Sequence, residues 1–192
     1  MASGKFLGYL VTQRNIKANP DKISTILHMK SLTCVMVVQV LNGRLAALNR
    51  FLSRSTAKCK SFLQAIKRTE QISDGMRCES VFQGLKKYLA SLPLLSKPVT
   101  GETLFLYLVI SESAVNEALI REGGVQKLVY YVSKSLLDVE TRYQRMKKMV
   151  LAPFVISRKL KHYFQSFQIV VLTEHPLKNI MENPQTTGRI AK

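Results

Sequence analysis

The chain reads as an α+β protein: a basic helical segment, then a mixed sheet of antiparallel hairpins plus a parallel crossover strand, with a long helix leading into that last strand. Three observations predict this. Leucines recur at helical spacing in the first half, and the hydrophobic period turns strand-like beyond Pro93, Pro98 and Gly101. Past that boundary, three strand-like runs precede one long helical stretch and a fourth strand, the order of a hairpin set with a crossover.

Taken in order, Lys5–Gln13 reads as a strand, with Tyr9 and Val11 as β-formers and Gly8 permitting close backbone approach. Asn19 is placed to cap a following helix, with Pro20 at its first position and Asp21 in its first turn. Ile23, Ile26 and Leu27 then share a face. Leu41, Leu45, Leu48 and Leu52 are spaced four, three and four, one apolar helical stripe, with Arg44, Arg50 and Arg54 lying off it toward solvent or a phosphate backbone. A further helix is expected near Cys78–Leu89, with Cys78, Val81, Phe82, Leu85 and Leu89 inward and Lys86 and Lys87 outward.

Thr103–Ile110 is strand-like and Ser111–Ser113 a turn. Ala114–Arg121 fits a helix as well as a strand, and its strand neighbours favour strand. The Gly123–Gly124 pair reads as a hairpin turn into the strand Lys127–Ser133. Asp138 is placed to cap a long helix to about Phe164, with Tyr143, Met146, Val150, Phe154 and Leu160 near one face. Pro153 interrupts that helix and costs about 3 kcal/mol unless the helix bends. The strand Gln168–Thr173 follows, then a short helix opened by Pro176.

The 192 residues carry a net charge of +17. Residues 1–98 hold 16 Lys/Arg against 4 Asp/Glu, and residues 99–192 hold 13 against 8, so the excess sits mainly in the first half. A polyanion, nucleic acid first, is the natural partner, with a solvated cationic surface as the competing reading. Cys34, Cys59 and Cys78 lack the spacing of a zinc site and are odd in number, which argues against a disulfide framework and for a reducing compartment. No apolar run is long enough to span a bilayer, and the amino terminus lacks a secretory segment. The expectation is a soluble, intracellular protein with no membrane partner.

FLGYLV with NPDKI, LNGRLAALNRFLSRS, CESVFQGLKKYL, PLLSKP, GETLFLYLVISESAV, LVYYVSKSLLDVETRY, SRKLKHYF and VVLTEHPLK together resemble the polyprotein of gypsy-type LTR retrotransposons, plant elements especially. The likeness covers nearly the whole chain. It implies a remnant of the reverse transcriptase palm over residues 1–27, a thumb- or connection-like helical segment over 28–98, and a truncated ribonuclease H-like domain over 99–192. The polymerase aspartates of such enzymes lie upstream of the FLGYLV strand, so DNA synthesis by this chain is not expected.

Ribonuclease H chemistry, which the resemblance implies for the last segment, uses two Mg²⁺ ions about 4 Å apart held by carboxylates. Matching the family's motifs puts Val109 at its first aspartate, Lys147 at its helical glutamate and Glu174 at its third carboxylate, while a fourth would fall beyond Lys192. Valine offers no lone pair, Lys147 brings a cation where two cations should sit, and Mg²⁺ tolerates misplaced oxygens poorly. The expectation is therefore a degenerate site with no bound cofactor, although Mg²⁺ serves the parent family. Ile72 and Asp74 also replace an aromatic–x–tryptophan pair. A milder reading within the family makes the domain a structural tether ahead of an active copy.

Other groups weigh less. Glu112 and Glu117 lie near the site and read as solvated turn and edge-strand charges. His175 reads as a helix-start or surface residue, and His28 and His162 as structural. Ser111 has no histidine partner close in sequence. Tyr130, Tyr131 and Tyr163 have rings suited to stacking on bases, but packing is expected for at least one of each neighbouring pair. The predicted property is salt-sensitive, sequence-independent binding of RNA/DNA hybrid or duplex through Arg44, Arg50, Arg54, Lys58, Lys60, Lys86 and Lys87. The alternatives are residual metal-dependent cleavage through Glu174 with Glu112 or Glu117, and a scaffold that assembles with other parts of a retrotransposon polyprotein.

Overall fold

The stretch expected as one amino-terminal strand folds as two. In the computed structural model, which describes residues 4–6, 9–13, 15–30, 35–53, 75–174 and 177, β1 (Gly4–Phe6) pairs antiparallel with β2 (Tyr9–Val11), Phe6 opposite Tyr9. A third strand that the sequence reading leaves unassigned, β3 (Asn15–Ala18), pairs with β2. Its entry is fixed by the Thr12 hydroxyl, which accepts the Asn15 N–H at 3.1 Å and donates to the Asn15 carbonyl at 2.9 Å.

Asn19 caps α1 (Pro20–Leu27) as its sequence predicts: Oδ1 accepts the Asp21 N–H at 2.9 Å. Ile26 is fully buried, with Ile23 and Leu27 packed beside it. The leucine stripe begins on α2 (Val35–Ala47) and outlasts it, because a 3₁₀ turn at Asn49–Phe51 carries the chain on. Leu41, Leu45, Leu48 and Leu52 are all buried, joined by Phe51 and by Phe82, Leu85 and Leu89 of α3 (Gly75–Ala90). Each such side chain contributes roughly 1.5–3 kcal/mol. The side chains of Cys78 and Val81, expected on the same face, lie outside the described set, as do Cys34 and Cys59. The short strand β4 (Leu95–Ser96) returns to pair with β3, giving the order β1-β2-β3-β4. Residues from both the first and second expected segments thus share one sheet and one core.

The second sheet has the predicted topology. β5 (Thr103–Ile110), β6 (Ala114–Gly123) and β7 (Val125–Ser135) form antiparallel hairpins, and β8 (Gln168–Leu172) joins β5 in parallel, in the order β7-β6-β5-β8. The ambiguous Ala114–Arg121 stretch is the inner strand β6. Ser111 shapes the first turn, its hydroxyl accepting the Ala114 N–H at 3.0 Å. Gly124 makes the second at φ +80°, a left-handed conformation that a side chain would strain. A bulge at Leu119/Ile120 leaves Val129 as the extra residue of β7.

The long helix expected from Asp138 to about Phe164 is three pieces: α4 (Asp138–Thr141), α5 (Arg145–Lys159) and α6 (Lys161–Ser166). Asp138 is the first helical residue rather than the cap. The Glu140 carboxylate instead accepts the Leu137 N–H at 2.7 Å and the Lys134 ammonium at 3.1 Å. Desolvation pushes that carboxyl up, but the Leu137 N–H and Lys134 more than reverse it, so its pKa is lowered. The expected apolar face is corrected too. Tyr143, Met146 and Phe154 are exposed, while Met149, Val150, Ala152, Ile156 and Leu160 are buried against Leu104, Leu106, Leu108, Val115, Leu119 and Val132 of the sheet. Val150 and Leu160 of the expected face are buried, but the helix packs on the sheet through the neighbouring stripe of Met149, Ala152 and Ile156. Pro153 stands inside α5, which runs on through it. The helix expected at Pro176 lies outside the described residues save for Leu177, which is buried in the second core.

The two units meet through β7. Leu128 packs against the first core, and the Arg50 guanidinium lies 5.1 Å from the Tyr9 ring centroid and 4.7 Å from that of Tyr130. Arg121 adds a hydrogen bond of 3.1 Å to the Lys97 carbonyl and an ion pair of 2.7 Å with Glu102.

Candidate functional site

Parallel pairing of β5 with β8 puts the carboxyl ends of both strands at one edge of the sheet. Tyr107 is level with Leu172, the last residue of β8, so Val109 lies two residues beyond the last paired position and Glu174 two residues past the end of β8. Val109 alternates out of the core face that holds Leu106 and Leu108 and is 53% exposed. The Lys148 ammonium donates to the Glu112 carbonyl at 3.0 Å, holding the start of α5 against the β5–β6 turn and bringing the exposed Lys147 to the same end. Val109, near the end of β5, and Glu174, just past the end of β8, thus lie toward one end of the sheet, while Lys147 is in the first turn of α5, which packs on the opposite face from the one that carries Val109.

The three matched positions offer one exposed carboxylate, one ammonium and one valine, and a second exposed carboxylate, Glu112, stands in the adjoining β5–β6 turn. Among the described residues, no three His, Cys, Asp or Glu side chains come together as a metal-holding group. These residues do not fit a pair of hard cations, which need several carboxylate oxygens in a near-octahedral shell. His175 lies outside the described residues. His28 is structural, its ring nitrogen 2.7 Å from the Ser24 carbonyl, and His162 is exposed.

Glu112 is an exposed turn residue, as expected. Glu117 is not the solvated edge-strand charge that the sequence suggests. It sits on an inner strand, opposite Leu108 and Val132, and is 4% exposed with no hydrogen-bond donor on either oxygen. Burial raises its pKa to about 9 against the opposing charge of Lys159. Its side chain belongs to the helix-covered face, the reverse of the face that carries Val109.

The basic residues of the first unit divide. Lys87 is exposed. Arg44 donates to the Thr25 carbonyl at 2.7 Å, and Lys86 donates to the Met29 carbonyl at 2.8 Å over the Phe82 ring. Both keep further N–H donors, since a guanidinium has five and an ammonium three. Arg50 is not turned to solvent: its Nε is buried and without a hydrogen-bond partner, and its guanidinium is sandwiched by tyrosines. Arg54, Lys58 and Lys60, like Ile72 and Asp74, lie outside the described residues. Of the candidate stacking rings, Tyr130 and Tyr163 pack edge to face at 6.2 Å.

The family described as the RNase H-like domain found in reverse transcriptase matches residues 75–171, just over half of the chain. The chain belongs to that family. Two curated relatives, both from Drosophila melanogaster, extend the similarity over the rest. The retrovirus-related Pol polyprotein from transposon 297 is 25% identical over 95% of this chain, and that from transposon opus is 27% identical over 98%. The chain spans 17% and 20% of their respective lengths. Among solved structures, the foamy viral protease-reverse transcriptase in complex with dsDNA superposes with a TM-score of 0.70 at 15% identity, covering 96% of this chain and 39% of that one. Its complex with RNA/DNA hybrid gives 0.69 at 14%, covering 96% and 26%. The fold is thus RNase H-like, and the family match takes in α3 and β4 of the first unit as well as the second sheet. No helix among the described residues is long and apolar enough to cross a membrane.

Proposed function

We propose that this RNase H-like chain is a nucleic-acid-binding segment of a retrotransposon reverse transcriptase that does not cleave its ligand. The observation that carries this reading is the chemistry of the three positions matched from the family's motifs, Val109, Lys147 and Glu174, which offer a single carboxylate to a two-ion chemistry. Mg²⁺ is accordingly not a cofactor of this site. The finer assignment, a gypsy-type element of plant character with palm remnant, connection-like segment and ribonuclease H-like domain over 1–27, 28–98 and 99–192, rests on the quoted motifs. The ligand is RNA/DNA hybrid or duplex, held by Lys87 and by the spare donors of Arg44 and Lys86 together with Arg54, Lys58 and Lys60. The relatives support this: they are polyproteins, and the foamy viral structures were solved with DNA and hybrid.

Incubating the purified chain with a labelled RNA/DNA hybrid in Mg²⁺ or Mn²⁺ tests the reading. The expected result is binding without cleavage, with affinity falling steeply from low to moderate salt as counterions are displaced. Cleavage that disappears in Glu174→Gln would replace it with residual nuclease activity, and salt-independent binding would remove the electrostatic mechanism.

A further inference from the structure

Between Thr141 and Thr173 the chain carries seven Lys/Arg and no Asp or Glu. Two of the seven are engaged, Lys148 with the Glu112 carbonyl and Lys159 with the Ser133 carbonyl at 3.5 Å. The other five, Arg142, Arg145, Lys147, Arg158 and Lys161, are exposed, and among the described residues none has a carboxylate within ion-pair distance. On α5 the spacing 147, 151, 154, 158 defines one helical face, opposite the face that buries Met149, Ala152 and Ile156. That outer face has a cation at each end and an aromatic ring between them. Phe154 is 54% exposed, and the Arg158 guanidinium lies 4.5 Å over its ring.

We propose that this outer face of α5 is a contact surface for unpaired nucleic acid, with a base stacking on the Phe154–Arg158 pair and phosphates drawn to Lys147, Arg158 and Lys161. The reason is the combination. Uncompensated positive charge selects a polyanion, and a large aromatic ring left in water beside a guanidinium gives a flat platform for a base. Bases inside a duplex are already stacked and cannot reach such a platform, so the preferred ligand is a single strand. The inference rests on the nucleic-acid reading above but assigns a different surface, on the second unit, and a different ligand form.

Anisotropy titrations of the full chain with a labelled oligothymidylate and with a blunt duplex, over a range of salt, test it. Phe154→Ala should weaken oligothymidylate binding by about 5- to 150-fold while leaving the salt slope unchanged. Lys147→Ala and Arg158→Ala should each lower that slope by about 0.7. Phe154→Leu, which keeps apolar bulk without the ring, should lose as much as Phe154→Ala, and unchanged thermal melts verify that these exposed sites leave the fold intact. Unchanged affinity in Phe154→Ala, full retention in Phe154→Leu, or complete displacement by polyglutamate would overturn the proposal. Wild-type binding of duplex but not of oligothymidylate would sink this inference alone, whereas failure to bind either would sink the nucleic-acid reading with it.

Discussion

Glu117 shows what a single side chain does to the balance of this fold. It points from β6 into the helix-covered core beside Leu108 and Val132, with Lys159 of α5 the facing cation and Lys134 of β7 next to that lysine. Burial lifts its carboxyl from 4.5 to about 9, so the folded chain holds a proton that the unfolded chain releases at lower pH. Below about pH 4.5 both states are protonated and the contribution is complete. As pH rises toward 9, stability falls by about 1.4 kcal/mol per unit. Thermal melts of wild type should therefore decline between pH 5 and 8, and Glu117→Gln, which keeps the shape without the titration, should flatten the decline. Parallel declines in both proteins would contradict the buried placement. The sequence held a signal for this position, since Val115, Glu117 and Leu119 alternate onto one face once β6 is read as a strand. Reading Glu117 by its charge alone hid it. The place of residue 109 near the end of β5, by contrast, follows from the turn at Ser111 that closes the strand.

At the scale of elements, strands and short capped helices were readable wherever local chemistry decides the outcome: the Asn19 cap, the leucine stripe, the Gly124 turn. The long helix was not. Gln144 adopts an extended conformation (φ −55°, ψ 149°) and Leu160 leaves helical values (φ −104°, ψ 25°), two breaks set by how the pieces pack on the sheet rather than by a proline or glycine at those positions. The proline that is present fails to end α5, because Met149, Ala152 and Ile156 on either side of it are buried in one core. That burial outweighs one missing hydrogen bond, since the Met149 carbonyl receives no N–H from position 153. Pro153→Ala should return that bond and stabilise the chain by up to about 3 kcal/mol, less by whatever bending already relieves. A urea midpoint that stays put or falls in this variant would mean that α5 needs its proline. The β3 strand escaped the sequence reading for a related reason: four residues give little periodicity, and its partner β4 lies far along the chain.

On the scale of the whole molecule, two hydrophobic cores are joined where β7 meets the 3₁₀ turn and β4, and Arg50 is central to that junction. Its guanidinium bridges a tyrosine of β2 and a tyrosine of β7, elements of different sheets, while its own position is fixed by the 3₁₀ turn that carries Phe51 into the first core. Spacing along the chain placed Arg50 off the leucine stripe and so toward solvent. Nothing local marks Tyr9 and Tyr130 as its neighbours. Planarity matters at this site, because a guanidinium can lie flat against two rings and an ammonium cannot. Arg50→Ala should destabilise the chain, and a double-mutant cycle with Tyr130→Leu should return a coupling of about 0.5–2 kcal/mol. Arg50→Lys should recover little of it. Duplex affinity and its salt dependence should be unchanged in Arg50→Ala, since its guanidinium lies between two tyrosine rings with its Nε buried. A salt slope reduced by about one, with stability intact, would return Arg50 to the phosphate-binding set and leave the two units coupled chiefly by Leu128 and Arg121.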